Sequence, residues 1–193
     1  MIGHRTDNTG LSFADLDIEH GIALAMEHLF SLGHRRIGFL TVDPVVEHRV
    51  YGFAAWALRA YDEACIRAGA RAMSVTGGTS IEAMTEAATR LLDSHPDLTA
   101  VIAPQQQSVI ALLKTCYARG IVVPRDLSIV AVLSEPMSEL ATPPLTSIDF
   151  PAEELGRTSA RIRVDRLDHG VTEPGQIFLG PALTVRGTTA PPH

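Results

Sequence analysis

Cysteine is scarce in this 193-residue sequence: Cys65 and Cys116 stand far apart and form no CxxC pair. A disulfide framework is therefore not expected, and two reduced, half-buried thiols in a cytoplasmic protein are. Long apolar runs are missing too. No stretch reaches the roughly 20 residues of a membrane span, and the polar start, Met1 to Gly10, reads as neither a signal peptide nor an anchor. Positive charge is in deficit, with 16 Lys and Arg against 22 Asp and Glu for a formal net charge of −6. That balance argues against non-specific attachment to a phosphate backbone. The eight histidines include no two at zinc-site spacing beside a cysteine or carboxylate cluster, so neither a metal site nor a cofactor is expected. Catalytic signatures are equally short. There is no GxSxG elbow and no Cys/His nucleophile arrangement. Gly77-Gly78-Thr79-Ser80 looks faintly like a phosphate cradle but lacks the P-loop lysine and the GxGxxG spacing. Glu153-Glu154 and Asp15/Asp17 fit a helix-start charge bias and strand-edge solvation better than an acid/base pair. An enzyme is not expected.

What the sequence does carry is alternation of short β-rich runs with helical periodicity. Residues 11–16 read as a strand, and Glu19 to Leu32 as a helix ended by Gly33. Arg36 to Val42 is an apolar strand, after which Pro44 breaks the chain. A helix is expected over Arg49 to Ala68, ended by Gly69, followed by a strand over Arg71 to Thr76. Thr79 and Glu82 have capping-box spacing for a helix through Ser94. Ala100 to Ala103 is a strand, Gln107 to Arg119 a helix closed by Gly120, and Leu127 to Leu133 a strongly apolar strand. Fully apolar strands alternating with helices imply a parallel α/β sheet covered on both faces. Beyond Leu133 come an extended piece, Leu145 to Phe150, a helix with Pro151 at its first position, and two short strands, Gln176 to Leu179 and Ala182 to Arg186. The tail from Gly187 is expected to be loose.

In such a sheet, ligands collect at the carboxyl ends of strands, where helix N-termini point their N–H groups. The rule selects the loops Asp43 to Arg49, Gly77 to Ser80, Pro104 to Ser108 and Leu133 to Pro136. Arg49 stands just after a strand. Gln105, Gln106 and Gln107 cluster at another junction, and their amides donate and accept, which suits a polar neutral ligand such as a sugar, nucleoside or amide. A surface arginine and a solvated helix start are equally open readings of these residues.

Several motifs, in order, resemble the LacI/GalR family of transcription regulators. They are HLFSLGHRRIGFL (His28 to Leu40), Arg49-Val50-Tyr51-Gly52-Phe53, TAVIAPQQQ (Thr99 to Gln107), GIVVPRDLSIV (Gly120 to Val130), PPLTSI (Pro143 to Ile148), Glu154-Leu155-Gly156 and PALTVRG (Pro181 to Gly187). The resemblance implies a periplasmic-binding-protein-like fold of two subdomains, a small effector in the cleft between them, a homodimer, and DNA contacted only through a helix-turn-helix headpiece. It assigns 17–146 plus 182–193 to a C-terminal subdomain and 1–16 plus 147–181 to a remnant of the N-terminal one, with no counterpart of the headpiece. A helix over Pro151 to Leu167 would then lack its usual support, leaving Leu155 and Ile162 under-buried.

On the same resemblance, Arg49 keeps the family's ligand-contacting arginine. Gln105-Gln106 replaces an asparagine-aspartate pair, Leu133 stands at an acidic position with Ser134 beside it, and His4-Arg5 falls near another effector position. Arg49, Gln105, Gln106, Thr79 and Leu133 form the expected ligand site. An arginine without an acidic neighbour would favour a carboxylate, phosphate or carbonyl over a simple sugar. The alternative function is a solute-binding receptor of a transport system with the same fold.

Overall fold

The structure, a computed structural model, describes residues 8–47, 52–168 and 173–193. The elements run β1 (Phe13–Leu16), α1 (Ile18–Ser31), β2 (Ile37–Val42), α2 (Pro44–Glu47), α3 (Phe53–Ala68), β3 (Met73–Gly77), α4 (Ile81–Ser94), β4 (Ala100–Ala103) and α5 (Gln106–Arg119). They continue with β5 (Ser128–Leu133), α6 (Glu135–Glu139), β6 (Thr146–Asp149), α7 (Ala152–Asp168), β7 (Gln176–Leu179) and β8 (Ala182–Thr184).

Local chemistry explains most boundaries. α1 starts at Asp17, whose carboxylate accepts from the His20 N–H. It ends in a Schellman turn: Gly33 takes φ +99°, the Gly33 N–H reaches the Phe30 carbonyl and the His34 N–H the Leu29 carbonyl. Gly69 and Gly120 end α3 and α5 in the same left-handed conformation. Two short helices were not expected. α2 follows Asp43, whose carboxylate accepts from the Val45 N–H at 2.8 Å, with Pro44 at its first position, so this proline opens a helix instead of breaking the chain. α6 follows Ser134. The helix expected from Arg49 begins at Phe53, with Gly52 as its N-cap. A Cβ on Gly52 would lie 2.3 Å from the Trp56 ring, so a larger residue there would have to displace that side chain.

Strands β3-β2-β4-β5-β6-β8 form one sheet, and β1 pairs with β7 in a second, two-stranded one. β3, β2, β4, β5 and β6 are mutually parallel. β8 joins the edge antiparallel, with Ile148 opposite Leu183. Alternate residues of each strand feed opposite faces. Leu40, Val42, Val101, Ile129 and Ala131 pack under α4 and α5, while Ile37, Phe39, Ile102, Val130 and Ile148 pack under α1 and α3. The expected α/β layering is thus present. Tyr61 braces the second face: its hydroxyl donates to the Ile37 carbonyl and accepts from the Met73 N–H, tying α3 to two strands. Both cysteines are buried, and burial pushes the Cys116 thiol up to about 11, which suits packing and disfavours the reactive thiolate.

Two expectations are corrected. The tail is anchored, not loose. Thr188 is fully buried, its hydroxyl donating to the Ile129 carbonyl at 2.7 Å and accepting from the Thr146 N–H at 2.8 Å. Ala190 exchanges hydrogen bonds with the Ser128 hydroxyl. The tail runs along β5 and β6 and satisfies backbone groups there that would otherwise be unpaired. The second concerns α7. Leu155 and Ile162 are buried, against Ala14 of β1 and Leu179 of β7, because the two-stranded sheet supplies its own apolar face to the helix. Val164 and Leu167, on the other side of α7, are exposed.

Candidate functional site

The chain leaves β2 for β3 on one side, then crosses to β4 on the other, so the sheet reverses its winding between β2 and β4. Ligands of open α/β sheets bind outside the carboxyl ends of strands at such a reversal. The residues there are Thr41 near the end of β2 and the Pro104-Gln105 step after β4. Thr41 is fully buried. Its hydroxyl donates to the Gln105 Oε1 at 3.1 Å and accepts from the Gln105 Nε2 at 2.9 Å. Gln105 itself is extended, at φ −122° and ψ 154°, and is the N-cap of α5. The Ser108 hydroxyl accepts from the Gln105 N–H and donates to its carbonyl, fixing the backbone beneath the amide.

The other expected residues distribute along the same edge. Gln106 is exposed at the first position of α5, and Thr79 is exposed in the loop after β3. Since β3, β2, β4 and β5 are neighbours in that order, Thr79 lies two strands from Gln105, about 10 Å away at the usual spacing. Thr79 is also not the helix cap. Ser80 is, accepting from the Ala83 N–H, so the capping box with Glu82 does not form. The adjacent glycines have a packing reason. A Cβ on Gly77 would come within 2.8 Å of the Ala87 Cβ, and one on Gly78 within 3.0 Å of the Ala83 Cβ. Close approach of α4 to β3, and not phosphate binding, accounts for the pair.

Leu133 ends β5, next to β4, but its side chain is buried in the apolar cluster beneath α4 and α5. Its apolar character follows from that packing, which removes one of the two supports for an anionic ligand. Arg49 and His4-Arg5 lie outside the described residues.

At the far end of the edge stands an acid that the sequence reading did not single out. Asp149 accepts from the hydroxyls of Ser147 and Thr184. Arg186, 10% exposed in its side chain, donates to the Ser147 hydroxyl at 2.7 Å and the Leu145 carbonyl at 3.1 Å, with the Asp149 carboxylate 3.8 Å away. The network fastens β8 and the tail to β6. Its only local signal was the alternation of Ser147 and Asp149 on one strand face. No group of three or more His, Cys, Asp or Glu residues capable of holding a metal occurs among the described residues.

Comparison with known proteins matches residues 26–189 to the periplasmic binding protein-like domain. The HTH-type transcriptional regulator CelR of Thermobifida fusca is 35% identical over 182 residues, covering 91% of this chain and 51% of the relative. A solved transcriptional regulator CelR–cellobiose complex superposes with a TM-score of 0.86 at 30% identity, over 97% of this chain and 57% of that one. A LacI family regulator from Enterococcus faecium with bound ribose superposes at 0.80 and 26% identity, covering 98% and 69%. The chain spans about half the length of the curated relatives it matches. It belongs to the periplasmic binding protein-like domain family, in the form carried by LacI-family transcriptional regulators.

Proposed function

We propose that this chain is the effector-sensing and dimerisation part of a LacI-type regulator. It binds a small polar metabolite, a sugar, a nucleoside or a relative of these, at the carboxyl edge of the six-stranded sheet. The bound state passes to DNA through a helix-turn-helix headpiece outside these residues. It is a cytoplasmic binding module and performs no reaction. Residues 17–146 and 182–193 supply one wall of the cleft, and 1–16 with 147–181 belong to the opposite wall. The observation that carries this reading is the Thr41–Gln105 amide clasp at the winding reversal of the sheet, where binding sites of this architecture form. Support comes also from the cellobiose and ribose found in the two superposed regulators. Arg49 enters the site on its motif register, and Gln106 and Thr79 flank it. Among the described residues, no helix is long and apolar enough to cross a membrane.

The test is a thermal-shift screen of sugars, purines and organic acids, with hits titrated against Arg49→Ala and Gln105→Ala. Loss of one charge-assisted or buried hydrogen bond, about 1.5–3 kcal/mol, weakens binding roughly ten- to a hundredfold. A hit whose affinity is unchanged in both variants binds elsewhere, and the assignment of this edge fails.

A further inference from the structure

The two sheets belong to bodies with separate cores. The six-stranded sheet carries the apolar clusters under α4 and α5 and under α1 and α3. β1, β7 and α7 enclose a smaller one of their own around Ala14, Leu155, Ile162 and Leu179. The chain passes between the bodies three times, through Asp17, through Phe150-Pro151 and through Gly180-Pro181. These links lie together. The Asp17 N–H donates to the Leu179 carbonyl, Ile148 and Pro181 both crowd the Gly21 backbone, and Phe150 packs against the cores on both sides. Three adjacent links of one or two residues form a hinge, able to bend about their common line.

β8 is the weak member at this hinge. It is a three-residue edge strand whose ladder partners are Ser147, Ile148 and Asp149, and so short a strand is held only marginally by its backbone. Side chains complete the attachment. Arg186 donates to the Ser147 hydroxyl, Ser147 donates to one Asp149 carboxylate oxygen, and Thr184 donates to the other. A carboxylate only accepts, so it can close this network from both sides, and its charge strengthens both bonds. Asp149 is also the last residue of β6 and stands opposite Ala182, the first of β8. The network therefore closes where both strands leave the sheet for the other body. We propose that Asp149, with Ser147, Thr184 and Arg186, is a clamp that sets the stiffness of the hinge. Closed, it holds β8 against β6 and fixes two of the three links side by side. Open, it lets β8 leave the sheet edge, which lengthens one link and allows the smaller body to turn.

The test opens the clamp without changing its volume. Asp149→Asn replaces one accepting oxygen by a donor, so one hydroxyl loses its acceptor. Thr184→Val removes one of the two hydroxyls and keeps its shape, and serves in its place should the asparagine variant not fold. Two readouts are taken on the full chain. Amide hydrogen exchange follows β8. Spin labels on Arg161→Cys in α7 and Glu86→Cys in α4, both exposed positions, report the distance between the bodies, since the native cysteines are buried. Opening the clamp is expected to speed exchange of the β8 amides about tenfold and to broaden the distance distribution. Ser80→Ala, which weakens α4 far from the hinge, is the control for general destabilisation, and is expected to leave the β8 amides and the width of the distribution unchanged. Unchanged β8 exchange in Asp149→Asn means that the carboxylate clamps nothing. Faster exchange with an unchanged distance distribution refutes the link to the hinge. Equal broadening in Ser80→Ala assigns the effect to lost stability and overturns the clamp.

Discussion

The buried end of the chain can be tested by removing one oxygen. Thr188→Val preserves the side-chain shape but takes away a hydroxyl that donates to the Ile129 carbonyl at 2.7 Å and accepts from the Thr146 N–H at 2.8 Å. Thr188 is fully buried, so water cannot replace it without the tail lifting. Each buried group left without a partner costs about 1–3 kcal/mol, and two such losses, offset in part by relaxation, give about 2–4 kcal/mol. For a protein of this size, 1 kcal/mol moves the melting temperature by roughly 2–4 °C, so the midpoint should fall by about 5–15 °C. Thr188→Ser keeps both hydrogen bonds and gives up only a buried methyl, about 1 kcal/mol. Urea denaturation followed by far-ultraviolet circular dichroism measures the difference, provided the slope is unchanged. A valine variant within about 0.5 kcal/mol of the parent, or a serine variant as unstable as the valine one, would refute the claim that this hydroxyl anchors the tail.

Two further outcomes are expected. Ser80→Ala should destabilise by about 1 kcal/mol through loss of the α4 cap, whereas Thr79→Ala should be close to neutral, and reversed magnitudes in the same denaturation assay would restore Thr79 as the cap. His34 is buried between the Thr99 hydroxyl and the Ala190 carbonyl, each 2.9 Å from a ring nitrogen. Desolvation lowers its pKa below the ordinary 6.5, against a smaller upward pull from the Ala190 hydrogen bond. The unfolded chain therefore binds this proton more readily than the folded one. The stability contribution is fully present above about pH 6.5 and is lost as pH falls through the lower folded value. Urea midpoints from pH 8 to pH 5 should drop more steeply for the parent than for His34→Gln, and equal slopes would remove His34 as the cause.

Sequence patterning exposed the layers because the chemistry was local. IGFLTV and SIVAVL are apolar on both strand faces, which only a sheet covered on both sides tolerates, and Gly33, Gly69 and Gly120 each sit where a helix ends in left-handed backbone. The misses had two origins. Asp43-Pro44 carries a start signal for α2 that a breaker reading of proline overlooks. The tail offered no local cue. Gly187 to Ala190 has no strand or helix periodicity, and its order comes from partners at Ile129, Ser128 and Pro144, all more than 40 residues away in sequence.

The candidate edge was legible in the same uneven way. Three consecutive glutamines look equivalent on paper, yet the start of α5 separates them. Gln105 is extended, before the helix, Gln106 opens it and is exposed, and Gln107 is half-buried within its first turn. Only the first sits where its side chain can reach sideways to a neighbouring strand. That reach depends on length: parallel strands stand about 4.8 Å apart, and glutamine extends one methylene further than the asparagine that the family resemblance places there. The longer arm lets the amide meet the Thr41 hydroxyl on β2. Thr41 in turn hides inside an apolar run and reads as an ordinary strand residue until the strand order brings β2 beside β4. At the place where the resemblance puts an asparagine, glutamine thus carries its amide onto a second strand and joins two residues 64 positions apart in sequence.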